Sequence, residues 1–224
     1  MYKILEINKP QYLNLTPSDL WVLSRNFADQ FEIPDPSSPV WASAPRKKVL
    51  RQRILAWSLL ERMCREYPGK SLSSLKIERD DHGKPFSSAY PELFFNISHC
   101  EQACAVILDD KPCGIDVEDR FSCKDSLIQK VCHSDEYQML KSLNPEERLL
   151  QFQMIWSIKE ALLKKEGSGI VYGLEKVNLT GLLPLNPLES APSIKNDGHF
   201  LYEGPDFSEL KIYQEQTYTL AAVI

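Results

Sequence analysis

The placement of fifteen prolines and nine glycines constrains this chain more than any other feature. Two of the stretches they bound, Arg46 to Glu66 and Pro145 to Lys165, run on without a further breaker. The first follows a four-proline connector, Ile33 to Pro45, and stops at Pro68-Gly69; the second stops at Glu166-Gly167-Ser168-Gly169. Both runs end on these stop signals and hold no turn cluster inside them, so both predict helices. Ser126 to Leu143 predicts a third. The apolar runs elsewhere are short and bounded by turn residues, which predicts strands. These are Phe94–His99, Ala103–Leu108, Cys113–Glu118, Val177–Leu179, Leu210–Tyr213 and Tyr218–Ile224. Asp80-Asp81-His82-Gly83-Lys84-Pro85 and Asp109-Asp110-Lys111-Pro112 read as turns, and Pro184 to Pro192 as a loop.

The expected class is therefore α+β. A weak internal echo divides the chain near Pro112: Gly83-Lys84-Pro85 leads to Ala103–Leu108 much as Asp197-Gly198-His199 leads to Tyr218–Ile224. The expectation is two halves, residues 1–112 and 113–224, each a small antiparallel sheet packed on a long helix.

On a wheel of about 100° per residue, Val49, Leu50, Ile54, Ala56, Trp57, Leu60 and Met63 share one broad face of the first helix. Arg53 falls inside that face, where a guanidinium is costly unless it meets an anion. That anion can be a ligand or a protein carboxylate. The helix opens on Arg46-Lys47-Lys48-Val49-Leu50-Arg51-Gln52-Arg53, a local cationic patch in a chain of net charge −5 and pI near 5.5. The acidic balance argues against nonspecific nucleic-acid binding. No apolar stretch is long enough to span a bilayer, and Met1–Gln11 lacks the apolar run of a signal peptide. A soluble, cytoplasmic protein is expected. The six cysteines (64, 100, 104, 113, 123 and 132) are read as free thiols. Cys100 and Cys104 lie near His99, but the second ligand pair of a zinc site is missing.

Three segments carry chemistry. In Gly114-Ile115-Asp116-Val117-Glu118, strand alternation puts Asp116 and Glu118 on one face, roughly 7 Å apart at their Cα atoms. Such a pair is unfavourable without a counter-charge and suits a hard cation such as Mg²⁺, although a solvated strand face fits the same triplet. In Trp156-Ser157-Ile158-Lys159-Glu160-Ala161-Leu162-Leu163-Lys164, the residues Trp156, Glu160 and Lys164 share a helix stripe, which alone fits a surface Glu–Lys pair. In Asn96-Ile97-Ser98-His99, a hydroxyl and an imidazole at a strand end can donate to phosphate oxygens. A Ser98–His99 nucleophile pair is disfavoured, because adjacent strand residues point to opposite faces.

In this order, Phe95–His99, Gly114–Glu118 and Trp156–Ala161 with Lys164 and Gly167 resemble the surfactin-type 4′-phosphopantetheinyl transferases. The likeness is clear from Gly83 to Gly169. It implies a pseudo-twofold α+β fold with coenzyme A and Mg²⁺ at the junction of the halves. It further implies transfer of phosphopantetheine to a serine of an apo acyl or peptidyl carrier protein, with release of adenosine 3′,5′-bisphosphate. By position, Asp116, Glu118 and Glu160 match metal-binding acids, Lys164 a pyrophosphate-side lysine, and Lys84, Ser98 and His99 phosphate-contacting residues. Arg53 matches an arginine at the adenosine 3′-phosphate, and Glu136 a further acidic position of open role. Asp116, Glu160 and Lys164 are the implied catalytic groups. Cys100 departs from the small residue usual there. A monomer is expected, since two halves in one chain make the cleft. The rivals are another Mg²⁺ phosphotransfer enzyme, for which no nucleotide-binding glycine loop is present, and a non-catalytic module binding coenzyme A or carrier proteins.

Overall fold

The computed structural model describes residues 4–8, 44–66, 69–167, 173–183, 199–204, 207–214 and 217–224. Most of the proline connector, the Pro184–Pro192 loop and the Asp197-Gly198 part of the internal echo lie outside them. The fold is α+β, with small antiparallel sheets and two long helices, and the chain divides into two compact units, Met1–Pro112 and Cys113–Ile224.

In the first unit, β1 (Ile4–Asn8), β5 (Cys104–Asp109) and β4 (Phe94–His99) form an antiparallel sheet in the order β1-β5-β4. The helix α1 (Ala44–Glu66) packs on it through Ile54, Trp57, Leu60 and Met63, which meet Phe95, Val106 and Leu108. Ala56 is buried as well, as the wheel predicts, but Val49 is half exposed at 51%. Glu61 holds the helix end to the next turn, accepting from Leu72 N at 2.6 Å and Arg65 Nε at 2.5 Å. A hairpin of β2 (Ile77–Arg79) and β3 (Pro85–Ser87) turns through Asp80–Lys84. There Gly83 takes a φ of 83°, and Asp80 Oδ1 accepts from His82 N and Lys84 N.

In the second unit, β6 (Gly114–Asp119), β9 (Tyr218–Val223), β8 (Phe207–Gln214) and β7 (His199–Gly204) form a four-stranded antiparallel sheet, order β6-β9-β8-β7. The helix α4 (Pro145–Glu166) lies on β6 and β9. Its ends follow from sequence: Asn144 caps the N-terminus through Glu146 N and Glu147 N, Pro145 occupies the first turn, and Gly167 closes the helix at φ 77°.

Two expectations are corrected. Ser126–Leu143 is two helices, α2 (Asp125–Val131) and α3 (Ser134–Lys141), because His133 and Glu136 close a capping box that starts a new helix. Val177–Leu179 is no strand but the link between two short 3₁₀ turns, Leu174–Lys176 and Thr180–Leu182. Among the described residues no helix is long and apolar enough to cross a membrane. All six cysteines are free thiols, five of them buried, with Cys123 partly exposed.

Candidate active site

Register fixes which way β6 points its acids. Gly114, Asp116 and Glu118 sit opposite Val223, Ala221 and Thr219 of β9. Directly paired residues share a sheet face, and Ala221 and Val223 belong to the core built on α4. The acids therefore face the helix, while Ile115 and Val117 are buried on the other side. The close approach depends on Gly114. A Cβ there would stand 1.9 Å from the Ala161 carbonyl oxygen and 2.6 Å from Lys165 N. No side chain fits between strand and helix at this point.

That seating brings Glu160 and Lys164 of α4 to Asp116 and Glu118. Lys164 Nζ donates to Asp116 Oδ1 at 2.6 Å. Asp116 is 2% exposed, Glu160 is 8% exposed, and Lys164 reaches solvent. The electrostatics record crowding of like charge. Burial, then the Asp116 charge, push the Glu118 carboxyl up to about 7; Glu160 adds to the shift and Lys164 opposes it. Burial and Asp116 also raise Glu160, again against Lys164. The Trp156 indole N–H lies near enough to lower Glu118 slightly, although its geometry falls short of a hydrogen bond.

Three carboxylates against one lysine leave a local excess of negative charge, all of it on hard oxygen donors. That donor set fits Mg²⁺ and not a softer metal. The acids are electrostatic neighbours and no tighter than that: among the described residues, no group of three or more His, Cys, Asp or Glu side chains is gathered into a metal-holding set.

Other elements brace the site. Phe121, Phe152 and Trp156 form three edge-to-face contacts with centroids 5.9–6.4 Å apart, and Gln153 Nε2 donates to Phe121 O at 3.0 Å. These tie the segment after Glu118 to α4. Arg148 pairs with Asp125, which also accepts from the Tyr137 hydroxyl at 2.6 Å.

Glu136, left open by the sequence, is fully buried and ion-paired to Lys159 at 2.6 Å. Lys159 was missed, although the argument applied to Arg53 finds it: on the wheel it falls between the buried Ile155 and Leu163.

The first unit holds the remaining candidates. Arg53 is partly buried on α1, Lys84 partly buried at the hairpin turn, Ser98 buried in β4 and His99 partly buried at its end. Ser98 and His99 pair across the sheet with Ala105 and Cys104.

Residues 112–222 match the family model of the 4′-phosphopantetheinyl transferase superfamily. The matched stretch belongs to that superfamily. It is 32% identical over 136 residues to the 4′-phosphopantetheinyl transferase psf-1 of Bacillus pumilus, covering 59% of this chain and 58% of the relative. It is 30% identical over 129 residues to a 4′-phosphopantetheinyl transferase of Bacillus subtilis, covering 58% and 52%. It is 33% identical over 135 residues to the 4′-phosphopantetheinyl transferase HetI of Nostoc sp., covering 57% and 56%. The chain thus spans little more than half the length of these curated relatives. The Bacillus likenesses support the surfactin type within the superfamily, and the matched residues contain Asp116, Glu118, Glu160 and Lys164.

Proposed function

We propose that this protein transfers the 4′-phosphopantetheine group of coenzyme A to a serine of an apo acyl or peptidyl carrier protein, with Mg²⁺, releasing adenosine 3′,5′-bisphosphate. The observation that carries the reading is the Asp116–Lys164 ion pair set between Glu118 and Glu160, two carboxyls whose proton affinity is raised. Asp116, Glu118 and Glu160 would hold the metal. When bound, Mg²⁺ supplies positive charge that offsets the diphosphate of the substrate.

The chain's own groups supply the rest. In the transfer, the carrier serine oxygen forms a bond to the phosphorus bearing pantetheine, and the bond from that phosphorus to the bridging oxygen breaks. Charge develops on the departing phosphate oxygens, where Lys164 can donate. Glu160, or a water that it orients, is proposed to receive the serine proton. Asp116 orients Lys164. Arg53, Lys84, Ser98 and His99 are proposed to contact coenzyme A phosphates. A long helix on an antiparallel sheet in each unit supports the proposed pseudo-twofold relation. The proposed protein is monomeric and cytoplasmic.

Incubating the protein with coenzyme A, Mg²⁺ and a panel of apo carrier proteins tests this directly. A mass gain of one phosphopantetheine on a carrier is expected. Binding of coenzyme A or carrier with no mass gain across the panel would instead support the non-catalytic module.

A further inference from the structure

Glu136 and Lys159 are fully buried charged side chains outside the proposed reaction steps. Both oxygens of Glu136 accept hydrogen bonds. Oε1 takes Leu179 N at 2.6 Å; Oε2 takes His133 N at 2.8 Å and Lys159 Nζ at 2.6 Å. Lys159 Nζ also donates to Val131 O at 3.0 Å. One ion pair thereby joins the end of α2, the start of α3, the middle of α4 and the segment around Leu179.

The direction of this tie matters. On α4, Glu160, Ala161, Lys164 and Lys165 face β6, as the Gly114 contact and the Asp116–Lys164 bond show. At about 100° per residue, that group is centred about 170° around the helix from Lys159. Lys159 therefore grips the back of the helix whose front carries Glu160 and Lys164. The grip acts on the residue directly before Glu160, so turning the helix about its axis would break it.

We propose that Glu136 and Lys159 are positioning residues that fix the rotation of α4, and thereby aim Glu160 and Lys164 at Asp116 and Glu118. Glu136 is not the proton acceptor of the reaction, since three N–H donors already occupy its oxygens. This rests on the transfer reading above, and the experiment separates the two.

Glu136→Gln alone leaves Lys159 charged in the core, so the informative variant is the neutral pair Glu136→Gln/Lys159→Met. With circular dichroism as a check on folding, the double variant is expected to lose at least tenfold in kcat while its KM for coenzyme A changes less than threefold. Its pH profile should keep the shape of the wild-type curve. Mn²⁺ titrated into metal-free protein and followed by electron paramagnetic resonance should bind at least tenfold more weakly than to wild type. Two results overturn the proposal: a folded double variant with wild-type kcat and Mn²⁺ affinity, or loss of the acidic limb of the pH profile, which makes Glu136 the acceptor. If wild type itself neither loads a carrier nor binds Mn²⁺, it is the transfer reading that falls.

Discussion

Asp116 is the residue on which the proposed chemistry turns, because it is nearly fully buried, orients Lys164 and raises the proton affinity of both neighbouring acids. Losing one of the proposed metal ligands should remove several kcal/mol of transition-state stabilisation at about 1.4 kcal/mol per decade, so Asp116→Ala should slow carrier loading by two or more decades at saturating Mg²⁺. Initial rates of carrier mass gain measure this. Glu118 makes a separate prediction. Its folded value of about 7 lies above the ordinary 4.5, so the stability it contributes is complete below about 4.5 and is lost as pH rises through about 7. In metal-free buffer, wild type should match Glu118→Gln in Tm near pH 5 and fall below it by pH 8. A gap that does not change with pH would contradict the buried, crowded carboxyl. The sequence showed Asp116 and Glu118 on one face through simple alternation. It could not show that Lys159 and Glu136 pair, since they come from different helices and only the tertiary fold brings them together.

At the scale of elements, the contact of β6 with α4 decides whether acids from a strand and a helix meet. The Gly114 contact allows no side chain, so Gly114→Ala must displace α4; overpacking of this kind costs typically about 1–3 kcal/mol. A lower Tm and a loading rate reduced at least tenfold are expected. Gly181→Ala is the control, because a Cβ there meets nothing within 4 Å; calorimetry and the loading assay should find it close to wild type. The long helices were legible because breakers delimit them and because Asn144, Pro145 and Gly167 mark the ends of α4. The break between α2 and α3 was not, since it depends on His133 and Glu136 capping each other within a continuous polar–apolar pattern. β1 was also missed: Ile4–Asn8 becomes a strand by pairing with β5, a partner nearly a hundred residues away in sequence, where the loss of loop entropy is recovered only on folding.

For the whole molecule, the division into two units sorts the predicted effects. Asp116, Glu118, Glu160 and Lys164 all belong to residues 113–224, whereas Arg53 belongs to residues 1–112. Arg53→Ala should therefore raise the KM for coenzyme A while leaving the Mg²⁺ concentration for half-maximal rate unchanged, as steady-state kinetics in both ligands will show. An unchanged coenzyme A KM reassigns Arg53 to structure. The cysteines carry a further consequence. Burial pushes the thiols of Cys64, Cys104 and Cys132 up to about 12 and raises Cys123 as well. Native protein treated with a maleimide should accept one label, at Cys123, as peptide mapping will report. The chain thus comes with its own attachment point for a fluorophore, two residues before Asp125, which opens α2 and pairs with Arg148. An optical reporter can be placed there without engineering a cysteine, since the other five cysteine thiols are buried.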